Sequence, residues 1–595
     1  MTLRISALLA LGMFASSCFT IDPNCSASTC NGCCGSDGRC NVGTAQNACG
    51  VGGNVCNTCV LGQSCQFGSC TGGTGNGGGT GAGGGTGAGG GGFGGGVTGG
   101  GTTGTNTITG LVTYEFVRSF YDPVADTGTL LFAQSTFKPV RNAVVIVAQN
   151  NNSIGNGVTG EDGRYSIGYT PSGTSAITVI VLSRTVSPPI QVEDNTDNDL
   201  TWAIGGNITT SMTTFDVRAT AGWTGSDFDP NARTAAPFAI LDSMLTASRA
   251  FMAVRQVPFP PLKVNWSPNN VPQAGNKAQG QIGTSHFSPS ENEIYVLGKS
   301  LVDTDEFDSH VIVHEWGHFF EANLARSDSP GGRHGPGDVL DPRIAFGEAW
   351  GNAVASMVLP ETVYADSNWG GGTLHSFGFD TENEPNPTDD PQPSGFSESS
   401  VLRVLYDLYD TPNSGEPFDQ VATGLGPIYD VLTGHQKQTF AMTTLASFVT
   451  GLKGAQGVNG AAVDTLLARY NVGAVTTDFG NGDNGLNGMY TDATSLPFSG
   501  SIQLGGGNPP NSWQQNQYYV FNGTGGTMTL TGNSTQDVAI TAYLQGRVVG
   551  QADANTSGTE SISLNSQAGQ VYILVLTGFG ATAGDYNVNI SISGN

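Results

Sequence analysis

The residues best placed to do chemistry lie in one run, Val311-Ile-Val-His314-Glu315-Trp316-Gly317-His318-Phe319-Phe320-Glu321. On a helix, positions four apart share a face. His314 and His318 therefore present two imidazoles to one point, which suits a single Zn²⁺. Glu315, one position on, is set to work on a water at the metal rather than to bind the metal. The remaining positions, Val311, Ile312, Val313, Trp316, Phe319 and Phe320, are apolar, so the helix is buried nearly all round. Polar groups on a buried helix need partners, and a metal supplies them.

A catalytic zinc takes three protein ligands and keeps one position open, so a third ligand must come from elsewhere. Glu348, in Arg343-Ile-Ala-Phe-Gly-Glu348-Ala-Trp-Gly-Asn352, is the preferred candidate: a single carboxylate on a second apolar helix. Gly347, Ala349 and Gly351 around it allow close helix approach. The Gly- and Pro-rich stretch between His318 and Glu348 can reverse the chain and lay the helices side by side. Asp341 and Glu321 are the rivals. Asp341 precedes Pro342 at a turn, where Asp commonly sits for backbone reasons. Glu321 shares a face with His318 but is expected to meet solvent or a cation. The oxyanion donor stays open among His375, Tyr406 and His334. The carboxylate and carbonyl oxygens that cluster at Asp478–Gly488 and along Asp380–Asp390 suit calcium, but the EF-hand register is missing and an ordinary loop is the preferred reading of both.

These groups need a framework. Helical patterns run over Pro237–Val254, Glu306–Leu324, Arg343–Val358, Ser397–Tyr409 and Thr439–Val449. Asn292–Leu297 reads as a strand before the metal helix. Asp303 and Glu306 fit a capping box for that helix. On either side the chain alternates apolar and polar residues between Gly, Asn and Asp turns, the pattern of β-sandwiches.

The run VIVHEWGHFFE followed by AFGEAWGN is similar to the gluzincin metallopeptidases, thermolysin- and fungalysin-like. The resemblance implies an α+β zincin-like catalytic domain over 235–490, with His314, His318 and Glu348 binding zinc and Glu315 as the general base. It also implies peptide-bond hydrolysis, with protein or peptide substrates. The family's Asp four residues after the ligand glutamate is Asn352 here, which leaves that supporting role open. The order ITGLV, NAVVIVAQN, VTGEDGRYSI resembles the transthyretin-like regulatory domain beside carboxypeptidases (107–220). The closing Gly584-Asp-Tyr586 turn resembles the β-sandwich appended to secreted peptidases (499–595).

The N-terminus reads as an export signal (1–17): a basic start, a short apolar run and small residues before Cys18. The segment resembles a bacterial lipoprotein signal, which would make Cys18 the lipidated residue and the membrane a partner. Cys25, Cys30, Cys33, Cys34, Cys40, Cys49, Cys56, Cys59, Cys65 and Cys70 remain. They form an even set in a short polar segment (18–70), expected to be a disulfide module in an oxidising compartment. A Gly-rich linker (71–106) follows. The chain is thus multidomain, with a zincin-like domain flanked by all-β sandwiches. It is expected to be exported, to the outer membrane, the cell surface or the medium. A net charge of -26 over 595 residues excludes a basic nucleic-acid surface. Besides the peptidase, the sequence admits a non-catalytic, lipid-anchored adhesion or scaffold protein with a structural metal, and hydrolysis of a non-peptide bond.

Overall fold

A computed structural model describes residues 101–370, 373–383, 390–412, 416–505, 511–579 and 585–594, with short strands between Cys33 and Thr71. The chain forms two compact units, Met1–Gly94 and Gly95–Asn595. In the first, Cys33–Cys34 pairs with Cys40–Asn41 and with Asn54–Val55, and two small hairpins follow. The expected signal segment, the lipidation at Cys18, the pairing of the ten cysteines and linker residues 72–100 lie outside the described residues. The last linker residues are built into the second unit: Thr102 exchanges hydrogen bonds with Gly168 and Asn156. Among the described residues, no helix is long and apolar enough to cross a membrane.

The second unit is organised on a large mixed sheet. Its strands are β1 (Ala143–Gln149), β2 (Asn152–Val158), β3 (Ile177–Thr185), β4 (Ile190–Asp194), β5 (Leu262–Trp266), β6 (His286–Ser288) and β7 (Glu293–Val296). Their order is β2-β1-β3-β4-β5-β7-β6. In β1 and β3, Val145, Val147, Val179 and Val181 are fully buried at alternate positions, as a half-covered sheet requires. β4, β5 and β7 are parallel neighbours, and β5 buries four of its five residues. The sheet therefore runs without a break across the boundary expected between 220 and 235. β4 comes from the expected accessory sandwich and β5 from the expected catalytic segment, and one hydrophobic core serves both. The strand expected at Asn292–Leu297 is β7, but it is not the sheet edge; β6 pairs antiparallel outside it.

Two helices pack on this sheet, α1 (Ala236–Val254) and α2 (Ser309–Asn323); α3 (Pro342–Val358) packs on α2, and α4 (Glu398–Tyr409) on α3. Pro237 sits in the first turn of α1 and Pro342 opens α3, where a missing N–H costs nothing. Asp341 caps α3 by accepting from the Arg343 N–H at 2.9 Å. The helix expected from Thr439 begins later, at Leu445, behind a Thr444–Ser447 capping box. The box expected at Asp303 and Glu306 does not form. Asp303–Thr304 is a short strand and Asp305–Phe307 a single 3-10 turn before α2, while Glu306 pairs with buried Arg233.

β8 (Val363–Gly370) and β9 (Thr373–Asp380) form an arm that completes a four-stranded sheet with Gly298–Lys299 and Asp303–Thr304, and β8 lies against α2. Beyond it the C-terminal β-sandwich faces a five-stranded sheet with a four-stranded one. Leu574 and Leu576 from one and Val588, Ile590 and Ile592 from the other share a core. Strand Tyr490–Asp492 joins the five-stranded sheet, so the sandwich begins before residue 499. It is fastened to α3, since the Tyr518 hydroxyl donates to the Asp341 carboxylate, which also holds Arg343.

Candidate metal centre

α2 and α3 meet where neither has a side chain in the way. A Cβ on Gly351 would lie 2.7 Å from His314 Nδ1, and one on Gly317 would lie 3.1 Å from the Gly351 Cα. The first contact is shorter than atoms tolerate and the second is tight, so glycine at Gly351 permits the approach and glycine at Gly317 eases it. Gly347, expected to help, meets nothing closer than 3.5 Å. Trp316, Phe319 and Phe320 fix α2 from behind, each fully buried, and losing one such ring costs about 3–5 kcal/mol.

Across this seam three donor atoms converge. His314 Nε2 and His318 Nε2 are 3.0 Å apart, and Glu348 Oε2 is 3.3 Å and 3.4 Å from them. Tetrahedral ligands on zinc at 2.0–2.1 Å stand roughly 3.3 Å apart, so nitrogen, nitrogen and carboxylate donors with this spacing fit the ion. The electrostatics agree. Burial opposes charge on Glu348, but the His318 and His314 imidazoles outweigh it and hold the carboxylate well below its usual range. Burial likewise lowers His318, but Glu348, Glu321 and Glu315 outweigh it and raise it well above the ordinary imidazole value. A pocket with this many carboxylates calls for a cation.

Each donor is oriented from behind. His314 Nδ1 donates to Asn352 Oδ1 at 2.8 Å. Asn352 Nδ2 donates in turn to Glu398 Oε1 at 2.7 Å. The amide thus occupies the supporting position left open by the missing Asp. His318 Nδ1 lies 3.4 Å from Glu321 Oε2. Glu321 is 1% exposed, so the expectation that it meets solvent is corrected: it faces the His318 imidazole. Asp341 is spent on the α3 cap, Arg343 and Tyr518, and is no metal ligand. Glu315 Oε2 accepts from the Phe287 N–H of β6 at 2.7 Å, which ties the glutamate to the sheet edge.

His334 enters the site from the loop before α3. Its Nε2 is 3.4 Å from Glu348 Oε2, and its Nδ1 donates to Glu398 Oε2 at 2.9 Å. It stands outside the three-donor cluster, whose atoms lie within 4.8 Å of one another, so it faces the ligand group and is not a fourth ligand. Burial lowers its pKa, but Glu398 and Glu348 raise it to about 9, so Nε2 carries a proton at neutral pH. The sequence named His334 without a reason to prefer it; its partner Glu398 lies 64 residues on. Tyr364 of β8 is a further neighbour. Burial first, then nearby carboxylates including Glu315, raise its phenol well above the usual range.

The other candidates fall elsewhere. His375 is exposed on β9, opposite Asn368. Tyr406 lies eight residues along α4 from Glu398, roughly 12 Å of helix rise, with its ring tilted against that of Tyr409. The proposed calcium loops use their carboxylates internally. Asp478 takes His435 and Thr439, and Asp483 caps a short helix. Asp390 accepts from Ser397 and Ser400; residues 384–389 lie outside the described residues.

No protein-family model matches the chain, and no curated protein matches it either. Among solved structures, the pre-peptidase C-terminal domain of collagenase from Bacillus anthracis is similar. It shows 14% identity over 18% of this chain and 92% of that one, with a TM-score of 0.14. This weak likeness is to a β-sandwich domain and concerns no catalytic residue.

Proposed function

We propose that the protein is an exported zinc-dependent peptidase whose centre is His314, His318 and Glu348. The observation that carries this reading is the 3.0–3.4 Å spacing of the three donor atoms, the edge length of a zinc tetrahedron. Bound zinc supplies Lewis acidity, polarising a carbonyl and acidifying a water. The chain's own groups do the rest. Phe287 holds Glu315 Oε2, which leaves Oε1 to take a proton from the attacking water and return it to the leaving amine. His334 Nε2, kept protonated by Glu398, donates to the oxygen on which charge develops. β6 ends the strand order and reaches the site through Phe287, which favours an extended peptide laid along that edge. Export and membrane anchoring rest on residues 1–18 alone.

The test is zinc content and casein cleavage by wild type beside Glu315→Gln. About one zinc in both proteins, with cleavage only by wild type, supports the peptidase. Zinc in both with no cleavage across a broad peptide library would sink catalysis and favour a surface protein with a structural metal. No zinc in either would remove the metal centre.

A further inference from the structure

We propose that Asp303, Asp305 and Asp366, with Asp308 beside them, bind one calcium ion that fastens the β8–β9 arm to the entrance of α2. One carboxylate oxygen from each of the three lies within 4.8 Å of the others. Two oxygens on opposite sides of calcium, each bonded at about 2.4 Å, are separated by about 4.8 Å. A set confined to that span can share one ion.

A second observation turns this acidic cluster into a site. Asp305 is 3% exposed and Asp308 0% exposed. Asp305 Oδ1 is buried without a hydrogen-bond partner, as are Asp303 Oδ1 and Thr304 Oγ1, while Asp308 has the Ser119 hydroxyl beside it. Their second oxygens are engaged: Ser285 donates to Asp305 Oδ2, and Ser367 donates to Asp308 Oδ2 from N–H and hydroxyl at 3.0 and 2.7 Å. Buried Arg233 is committed to Glu306 and the Gly298 carbonyl, and the one positive influence on the cluster among the described residues is His314 acting on Asp366. Among the described residues, no lysine or arginine acts as a leading partner of the four aspartates.

Bare carboxylate oxygens in a water-poor interior are costly, so protons or a cation must answer them. Burial raises Asp303 to about 6 against hydrogen bonds from Asp305 and the Thr304 backbone; burial, then Asp303, raises Asp366 to about 7; and burial with neighbouring carboxylates drives Asp305 and Asp308 well above the carboxylate range. One shared proton satisfies two oxygens. A cation with six to eight oxygen ligands takes all of them and lets the carboxylates stay ionised. An all-oxygen set selects a hard ion over zinc, and a flexible set of this span suits calcium better than the smaller magnesium.

The position gives the ion a task. Asp303 and Asp305 lead into α2, nine to fifteen residues before His314, Glu315 and His318. Asp366 lies on β8 two residues from Tyr364, on the same face of the strand. The inference does not depend on zinc binding or on proteolysis.

The experiment uses the full chain in zinc-buffered, calcium-free solution, titrated with CaCl₂ by calorimetry and by thermal unfolding. Beside it stand Asp366→Asn and the double variant Asp305→Asn/Asp366→Asn. Wild type is expected to bind one more calcium than the variants. Its unfolding midpoint should rise by roughly 3 °C at a hundredfold excess over Kd. MgCl₂ at equal concentration should leave it unmoved. The proposal is overturned if wild type takes up no calcium that Asp366→Asn loses. It is also overturned if the variants melt higher than wild type at saturating calcium, which would mark a cluster satisfied by protons.

Discussion

At His314, His318 and Glu348 the donors are held before any ion arrives: Asn352 and Glu321 stand behind the two imidazoles. At Asp303, Asp305 and Asp366 the arrangement is the reverse, with buried oxygens left bare. The first centre offers two nitrogens and one oxygen, the second only oxygens. The difference teaches how one unit can keep two cations apart. A preorganised, nitrogen-rich site at tetrahedral spacing favours zinc. A carboxylate cluster whose charges repel until an ion enters favours a hard cation. On the proposed reading, the first serves an open coordination position and the second closes two elements on each other.

The comparison can be broken most severely at Glu348. Glu348→Gln is expected to lose zinc far beyond the roughly 10–100-fold effect of a supporting residue, and with it all cleavage, while calcium uptake persists. Zinc analysis by atomic emission after dialysis checks this. Glu315→Gln should cost roughly 10²–10⁴ in kcat with the zinc retained. His334→Phe should cost roughly 10²–10³ in kcat, with smaller change in KM, because it removes one donor to the oxyanion; steady-state kinetics on a fluorogenic peptide would show it. Asn352→Leu leaves His314 Nδ1 without its acceptor and should weaken zinc roughly 10–100-fold in competition with a chromogenic chelator. The smallest effect sharpens the contrast. Withdrawing calcium from zinc-loaded protein should lower the unfolding midpoint by only a few degrees and leave the zinc content at one, whereas a matching loss of zinc would merge the two centres into one.

The legibility of the two centres differs for a physical reason. A helix repeats every 3.6 residues, so His314, Glu315 and His318 announce their shared geometry within five positions. Glu348 follows from one carboxylate among small residues on the next apolar helix. No such period links Asp303 and Asp305 to Asp366. Read locally, Asp303 and Glu306 looked like a helix cap, because spacing alone cannot tell a cap from a strand that turns its carboxylate elsewhere. His334 and Glu398 were hidden in the same way: a loop histidine acquires meaning only when a distant helix start is folded against it.

The sequence by itself determined the helix that carries His314 and His318, its buried character, the helix that carries Glu348 and the β-rich flanks, because those depend on short-range periodicity and on turn chemistry. Tertiary structure alone decided the rest. It ran one sheet through β4 and β5 where composition suggested a boundary, placed β6 and not β7 at the edge beside Glu315, turned Glu321 inward onto His318, and gathered four aspartates into one buried cluster. These are contacts between residues far apart in the chain, and packing, not local propensity, selects them.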